Sequence, residues 1–287
     1  MSIVLLQVIV GGLLLGAVYA LFSSGLTLVW GMMNIVNFAH GDFVMLGMYV
    51  AFMVWTLLGV GPLAGVPIAA LVLATVGIIV YFGLIRSVMK GPMLAQILGT
   101  FGLALLLRYS VFWAFGANFL TLPSDLVGGT YDVLGIKLQA SRLLAGGVAL
   151  LVTLGLHLLL TRTSLGSKML AVSEDATAAQ LMGIRPDGMQ AIAWGIAAGA
   201  TGLAGALIAT FFYISPTVGE TLGIVAFVTV SLGGFGSVPG ALVAGLLIGV
   251  IESVSAYLIG GIYKDIVVYS LFLCFLWFRP QGLMGKM

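Results

Sequence analysis

A polar, glycine-bearing interruption, Asn34-Ile35-Val36-Asn37-Phe38-Ala39-His40-Gly41-Asp42, breaks an apolar run that extends from Ile3 to Leu58. Hydrocarbon offers peptide groups no hydrogen-bond partners. A chain this apolar therefore spans lipid as helices, and unwound backbone survives at membrane depth only where it is buried in protein or lines a wet cavity. The interruption points to a transport pathway, with Asn34, Asn37, His40, Gly41 and Asp42 as its candidate residues.

The rest of the sequence has the same character. Over 287 residues it is 61% hydrophobic and 7% charged, against about 25% charged in soluble proteins. Apolar segments run over 3–30, 42–58, 66–85, 93–115, 141–161, 190–212, 222–234, 240–260 and 265–278. At about 20 residues per crossing, these make eight or nine spans and leave no separate soluble domain. The expected fold is an all-α, polytopic transmembrane bundle with a discontinuous helix, a single domain over 1–287. The N-terminal run lacks the basic region and small-residue cleavage site of a secretory signal and is read as the first span.

Lys and Arg near the span ends set orientation. Arg86, Lys90, Arg162, Lys168, Arg185, Arg279 and Lys286 fall in 86–91, 162–190 and 279–287, which are expected on the cytoplasmic side. The opposite side receives 59–65, 116–140, 213–221 and 261–264, with Lys137 and Lys264 and with Arg142 at a span boundary. The N-terminus is thereby expected outside and the C-terminus inside. The weakest span is 222–234, since about 13 residues rise only about 20 Å as a helix; a re-entrant segment there reduces nine crossings to eight.

The chain holds 41 glycines. Gly12/Gly16, Gly195/Gly199, Gly236/Gly240 and Gly245/Gly249 have the small-xxx-small spacing that lets helices approach closely in lipid. A faint internal echo links 25–31, ahead of the first break, with 223–228, ahead of a second glycine-rich break at Gly233, Gly234, Gly236 and Gly240. Interrupted hydrophobic segments at corresponding places in two halves point to a transport site.

Several residues invite specific roles. Asn34 and Asn37 can satisfy freed backbone groups, and Asp42 is placed to cap a helix starting near Gly41. His40 reads as a hydrogen-bonded fixture or as a proton relay. Arg108 and Glu252 are ionisable residues inside spans, which are rare and functional by default; the two are candidates to pair with each other. Glu220 reads as a solvated rim residue and His157 as an interfacial one. Cys274, the sole cysteine, has a packing role. The outer segment 116–140 contains an alternating stretch, 131–138, suited to a hairpin, either as a platform for an extracytoplasmic partner or as a lid.

In the inner loop 162–190, a cap at Ser173, an acidic first turn at Glu174 and Asp175, and alanines through Ala178 and Ala179 precede Gly183 and Arg185-Pro186. This predicts a short helix outside the bilayer, with an alanine face suited to a protein groove. No G-x-x-x-x-G-K-[ST], H-E-x-x-H or G-x-S-x-G motif is present. Any nucleotide hydrolysis that drives this chain belongs to another polypeptide.

The runs 25–31 and 35–47, the loop 174–184, the turn 233–240 and the terminal 279–283 together resemble the branched-chain amino acid ABC importer permeases over nearly the whole chain. The resemblance implies a membrane subunit that binds no cofactor itself. Its implied partners are a second related permease, two cytoplasmic ATPases carrying ATP and Mg, and a periplasmic solute-binding protein, in the bacterial inner membrane; nucleic acid has no part. Glu174 to Gly183 would be the coupling helix seated in the ATPase. Leucine, isoleucine and valine are the leading solutes, with urea and short amides known in related systems. Asp42 stands where the resemblance leads one to expect glutamate. The competing readings are an ion-driven secondary transporter using Asp42, His40, Arg108 or Glu252 as a relay, and a passive channel.

Overall fold

The computed structural model describes residues 2–123, 128–133 and 135–285. Residues 124–127 and 134 of the outer segment, and Lys286, lie outside that description. Among the described residues the spans are α1 (Ser2–Met33), α2 (His40–Leu58), α3 (Pro62–Val80, continuing through a π-helical turn at Tyr81–Ile85 to Val88) and α4 (Met93–Phe115). An antiparallel hairpin follows, β1 (Thr130–Val133) with β2 (Ile136–Gln139), before α5 (Ala140–Arg162). Two short helices, α6 (Ser164–Glu174) and α7 (Ala176–Leu181), lead to α8 (Pro186–Ile208), α9 (Val218–Gly233), α10 (Val238–Ile259) and α11 (Lys264–Phe278).

Among the described residues seven helices are long and apolar enough to cross a membrane; α9 and α11, at 16 and 15 residues, are shorter. The weak segment at 222–234 gains a turn at its start, because the helix begins at Val218. At about 1.5 Å per residue α9 is about 24 Å long, short of the roughly 30 Å hydrocarbon thickness. The expected hairpin is present, paired Thr130 to Gln139 and Asp132 to Lys137. Its turn is held by the Gly135 N–H donating to Asp132 Oδ1 at 2.9 Å, with Gly135 at φ +84°.

Packing rests on backbone proximity, as expected where lipid is as apolar as leucine and area burial gives little drive. The Gly12/Gly16 and Gly245/Gly249 pairs face one another across α1 and α10: a methyl group added at Gly16 would lie 2.5 Å from the Gly245 carbonyl oxygen. In the same way Gly195 and Gly199 lie against Ala70, Ala74 and Ile78 of α3, while Gly202 faces Ala69 and Leu73. Helix α8, with small residues on nearly every side, is buried between α1, α2 and α3.

The inner loop departs from expectation. In place of one helix capped by Ser173, the chain forms α6 through Glu174 and restarts at Ala176. The cap is Asp175, whose Oδ1 accepts from the Thr177 and Ala178 N–H groups at 2.8 and 3.0 Å. A carboxylate accepts two N–H groups at once, which the Ser173 hydroxyl, turned to the Leu170 carbonyl, does not do here. Glu174 therefore ends one helix and does not open the next.

Candidate translocation site

Helix α1 stops at Asn34, the one non-glycine residue with positive φ (+53°) among those described. Asparagine tolerates the left-handed cap, and its N–H returns to the Trp30 carbonyl at 2.7 Å. Five residues outside the helices follow, and side chains take up some of their freed backbone groups. Asn37 Oδ1 accepts from the Ala39 N–H at 3.1 Å, and the Val36 carbonyl accepts from Thr100 Oγ1 of α4 at 3.0 Å. Asn37 thus does the backbone-satisfying work read from the sequence.

His40 Nε2 donates to the Phe22 carbonyl at 2.8 Å. A carbonyl only accepts, so this contact fixes the tautomer with the proton on Nε2. Phe22 lies eleven residues from the end of α1, about 16 Å at 1.5 Å per residue. The unwound segment therefore doubles back along α1, and α2 starts at mid-bundle. His40 is a fixture of this re-entry.

Asp42 does not cap α2, which begins at His40 with no side-chain cap. Its carboxylate turns instead to Arg108 on α4: Asp42 Oδ1 accepts from Nε at 3.2 Å and from Nη2 at 3.1 Å. Arg108 Nη1 also pairs with Glu220 on α9. Asp42 is 2% exposed, Arg108 13% and Glu220 58%. One guanidinium thus joins three helices and faces two carboxylates. Arg108 and Glu252 do not meet, contrary to the suggested pairing; Glu252 takes the Tyr19 hydroxyl at 2.8 Å and the Lys264 ammonium. Glu220 is more than a rim residue.

Gly41 is demanded by packing and not by conformation. Its φ is not positive, so the turn does not require glycine. The constraint is contact with α9, because a methyl group here would lie 2.5 Å from the Gly223 nitrogen and closer still to the Gly219 carbonyl.

On α9, Glu220, Ile224, Phe227 and Ser231 follow the i, i+4, i+7, i+11 spacing of one helix face. Phe38 of the break packs on Phe227 with ring centroids 5.5 Å apart, and Ile224 is 50% exposed. An exposed carboxylate seven residues, about 10 Å, from the Phe115 end of α4 through its partner Arg108 is not tolerated against hydrocarbon.

The second break lies against the first. Gly234 and Gly236 have φ +99° and +81°, and Ser237 caps α10 by accepting from the Gly240 N–H at 3.1 Å. The Gly236 N–H donates to Thr27 Oγ1 at 3.0 Å, and Trp30 packs on Phe235, so both breaks meet on the last two turns of α1. Gly233 packs on Gly240. Sequence reasoning missed the clamp beneath: the Leu283 and Met284 N–H groups donate to the Leu232 and Gly233 carbonyls at 2.8 and 3.0 Å. The run of Gly282, Leu283, Met284 and Gly285 against a glycine turn was the available signal.

On the inner helices, Ala179 is buried against the chain's own bundle, whereas Ala178, Leu181 and Met182 are exposed, the last two to 85% and 82%. Gly183 closes α7 in the left-handed region at φ +81°. The alanine face is thus split between inward and outward packing.

A profile of the family described as "Branched-chain amino acid transport system / permease component" matches residues 8–276. The chain is 34% identical to the high-affinity branched-chain amino acid transport system permease protein BraD of Pseudomonas aeruginosa, over 98% of this chain and 96% of that protein. It is 30% identical to the permease protein LivH of Escherichia coli K12, with the same coverage, and 27% identical to LivM of Salmonella typhimurium over 93% of this chain and 68% of LivM. Among solved structures, PsaBC from Streptococcus pneumoniae in complex with Fab superposes with a TM-score of 0.51 at 11% identity, covering 94% of this chain and 91% of that one, which is a likeness of fold. The chain belongs to the permease family of branched-chain amino acid transport systems.

Proposed function

We propose that this chain is one membrane subunit of an ATP-driven importer of branched-chain amino acids, and that the flank carrying Asn34, Phe38, Arg108, Glu220, Ile224 and Phe227 is its wall of the solute pathway. One observation carries the reading: an unwound segment and an exposed carboxylate lie together on the side of a bundle that otherwise presents apolar residues. Hydrocarbon cannot cover such a flank, whereas a second permease facing it across a wet cleft can. The names of BraD and LivH, together with full-length similarity, support the amino acid class.

In this reading Asp175 caps a short coupling helix whose outward residues, Ala178, Leu181 and Met182, sit in a cytoplasmic ATPase, with Glu174 and Gly183 at its margins. ATP and Mg belong to a pair of such ATPases. A binding protein delivers solute to the hairpin side of a complex in the bacterial inner membrane. The N-terminus lies outside and the C-terminus inside, because Arg86, Lys90, Arg162, Lys168, Arg185 and Arg279 cluster on the side of α6 and α7. Closure of the ATPases then moves α6 and α7, and the two breaks, stacked on the end of α1, are the places where the bundle flexes.

Reconstitution tests this. The chain, incorporated in vesicles with a related permease, two ATPases and a binding protein, should accumulate leucine only with ATP. Uphill uptake by the chain alone, without nucleotide, would refute it.

A further inference from the structure

Arg108 is held unequally by its two carboxylates. Asp42 engages Nε and Nη2 from a buried position, while Glu220 engages Nη1 from an exposed position on the flank. The group therefore has one permanent anchor and one replaceable partner. The charge count is one cation against two carboxylates, so an ammonium group brought to the flank meets an anion that Asp42 leaves uncommitted. Immediately beyond Glu220 on the same face of α9 stand Ile224 and Phe227, with Phe38 leaning on Phe227.

From this we propose that the Arg108–Glu220 pair is a recognition site for zwitterionic α-amino acids with apolar side chains, resting on the importer reading above and naming the groups it uses. The amino acid inserts into the pair. Its carboxylate accepts from Arg108 Nη1 in place of Glu220, its ammonium donates to the released Glu220 carboxylate, and its side chain lies on Ile224 and Phe227. One ion pair becomes two, and the net charge of the cluster, one cation against two carboxylates before and two against three after, is unchanged. An acid without an ammonium displaces Glu220 and leaves it unpaired, and an amine without a carboxylate must share Glu220 with Arg108 Nη1, so each makes one ion pair where the zwitterion makes two. Selection of the zwitterion follows from the number of ion pairs it forms, and selection of a branched side chain from the apolar shelf one turn away. Asp42 is a positioning residue in this scheme, since it fixes the guanidinium without facing the flank.

Saturation-transfer NMR on the full-length chain in lipid nanodiscs, with leucine as the probe, tests the site. Transfer to the leucine methyl protons should be displaced by isoleucine and valine but not by leucinamide or 4-methylpentanoate, and Glu220→Gln should weaken it at least tenfold. Equal competition by leucinamide or 4-methylpentanoate, unchanged binding in Glu220→Gln, or no saturable transfer to the wild-type chain would each overturn the proposal. Ile224→Ala, which trims a half-exposed side chain, provides a second readout: methyl transfer should fall while transfer to the α-proton persists, and an unchanged methyl signal would count against the site. The importer reading is judged separately by leucine uptake in the reconstituted complex. Uptake without binding at this pair sinks the recognition site alone.

Discussion

The Arg108 guanidinium meets the Asp42 carboxylate through two donors on one oxygen, Nε at 3.2 Å and Nη2 at 3.1 Å, and so ties the start of α2 to the middle of α4. Both groups are largely removed from solvent. Removing one partner of a buried pair leaves a charge with reduced compensation and costs about 3–5 kcal/mol, whereas removing both is far milder. Asp42→Asn should therefore lower the thermal unfolding midpoint of the purified protein markedly, and Asp42→Asn with Arg108→Met should recover part of the loss. The two effects should be non-additive by about 0.5–3 kcal/mol, the range for residues in direct contact. Additive midpoints in a double-mutant cycle would mean that the pair is not formed in the folded protein.

Gly41 distinguishes a steric from a conformational role. If the position needed only helical backbone, Gly41→Ala would stabilise α2 by about 1 kcal/mol. The added methyl group instead meets the α9 backbone at Gly219 and Gly223, and overpacking of this kind costs about 1–3 kcal/mol. Gly41→Ala should thus already reduce stability and uptake, and Gly41→Val should do so more severely. Measured stabilisation by alanine would show that α2 and α9 are not in contact at this point.

Much of this was legible in advance, and the reasons are local. The break at Asn34 to Ala39 was readable because Asn, His and Asp interrupt a run with no other polar residue from Thr27 to Tyr49 apart from Trp30. The glycine pairs at Gly12/Gly16 and Gly245/Gly249 were readable because a four-residue spacing places both on one face. Partner choice was not readable: an arginine inside a span requires a carboxylate, but Asp42, Glu220 and Glu252 all qualify on chemistry, and only the tertiary arrangement selects the first two. The restart at Asp175 was missed because Ser173 and Asp175 are both good caps two residues apart, and α6 extends far enough to take Ser173 into its last turn. The clamp at Leu283 and Met284 is made by main-chain groups, so only the flanking Gly282 and Gly285 hint at it.

The split alanine face yields opposite outcomes at adjacent positions. Ala178 is exposed with Leu181 and Met182, whereas Ala179 is buried beneath them. Ala178→Trp should fold normally, keep its unfolding free energy within about 0.5 kcal/mol of wild type, and fail to retain the ATPase subunits on purification. Ala179→Trp should instead destabilise the chain itself by about 1–3 kcal/mol through overpacking. Co-purification of the ATPases with Ala178→Trp at wild-type yield would remove this face from the contact.

Gly282 tests whether the C-terminal clamp governs the second break. It has φ +82°, and a methyl group there would lie 2.5 Å from the Gly234 nitrogen and 2.6 Å from its Cα. An alanine would incur about 1–2 kcal/mol for the left-handed conformation in addition to this collision. The cheaper response is release of the segment, which forfeits two backbone hydrogen bonds to Leu232 and Gly233, each with a net contribution of about 0.5–1.5 kcal/mol. Gly282→Ala should accordingly speed hydrogen exchange at the Leu283 and Met284 amides, while the Gly12/Gly249 contact between α1 and α10 stays protected. Freed of its clamp, the turn at Gly234 to Ser237 loses the restraint that couples α9 to α10, so uptake should fall more than stability does. Unchanged exchange at Leu283 and Met284 would show that the terminal segment is not bound to the break.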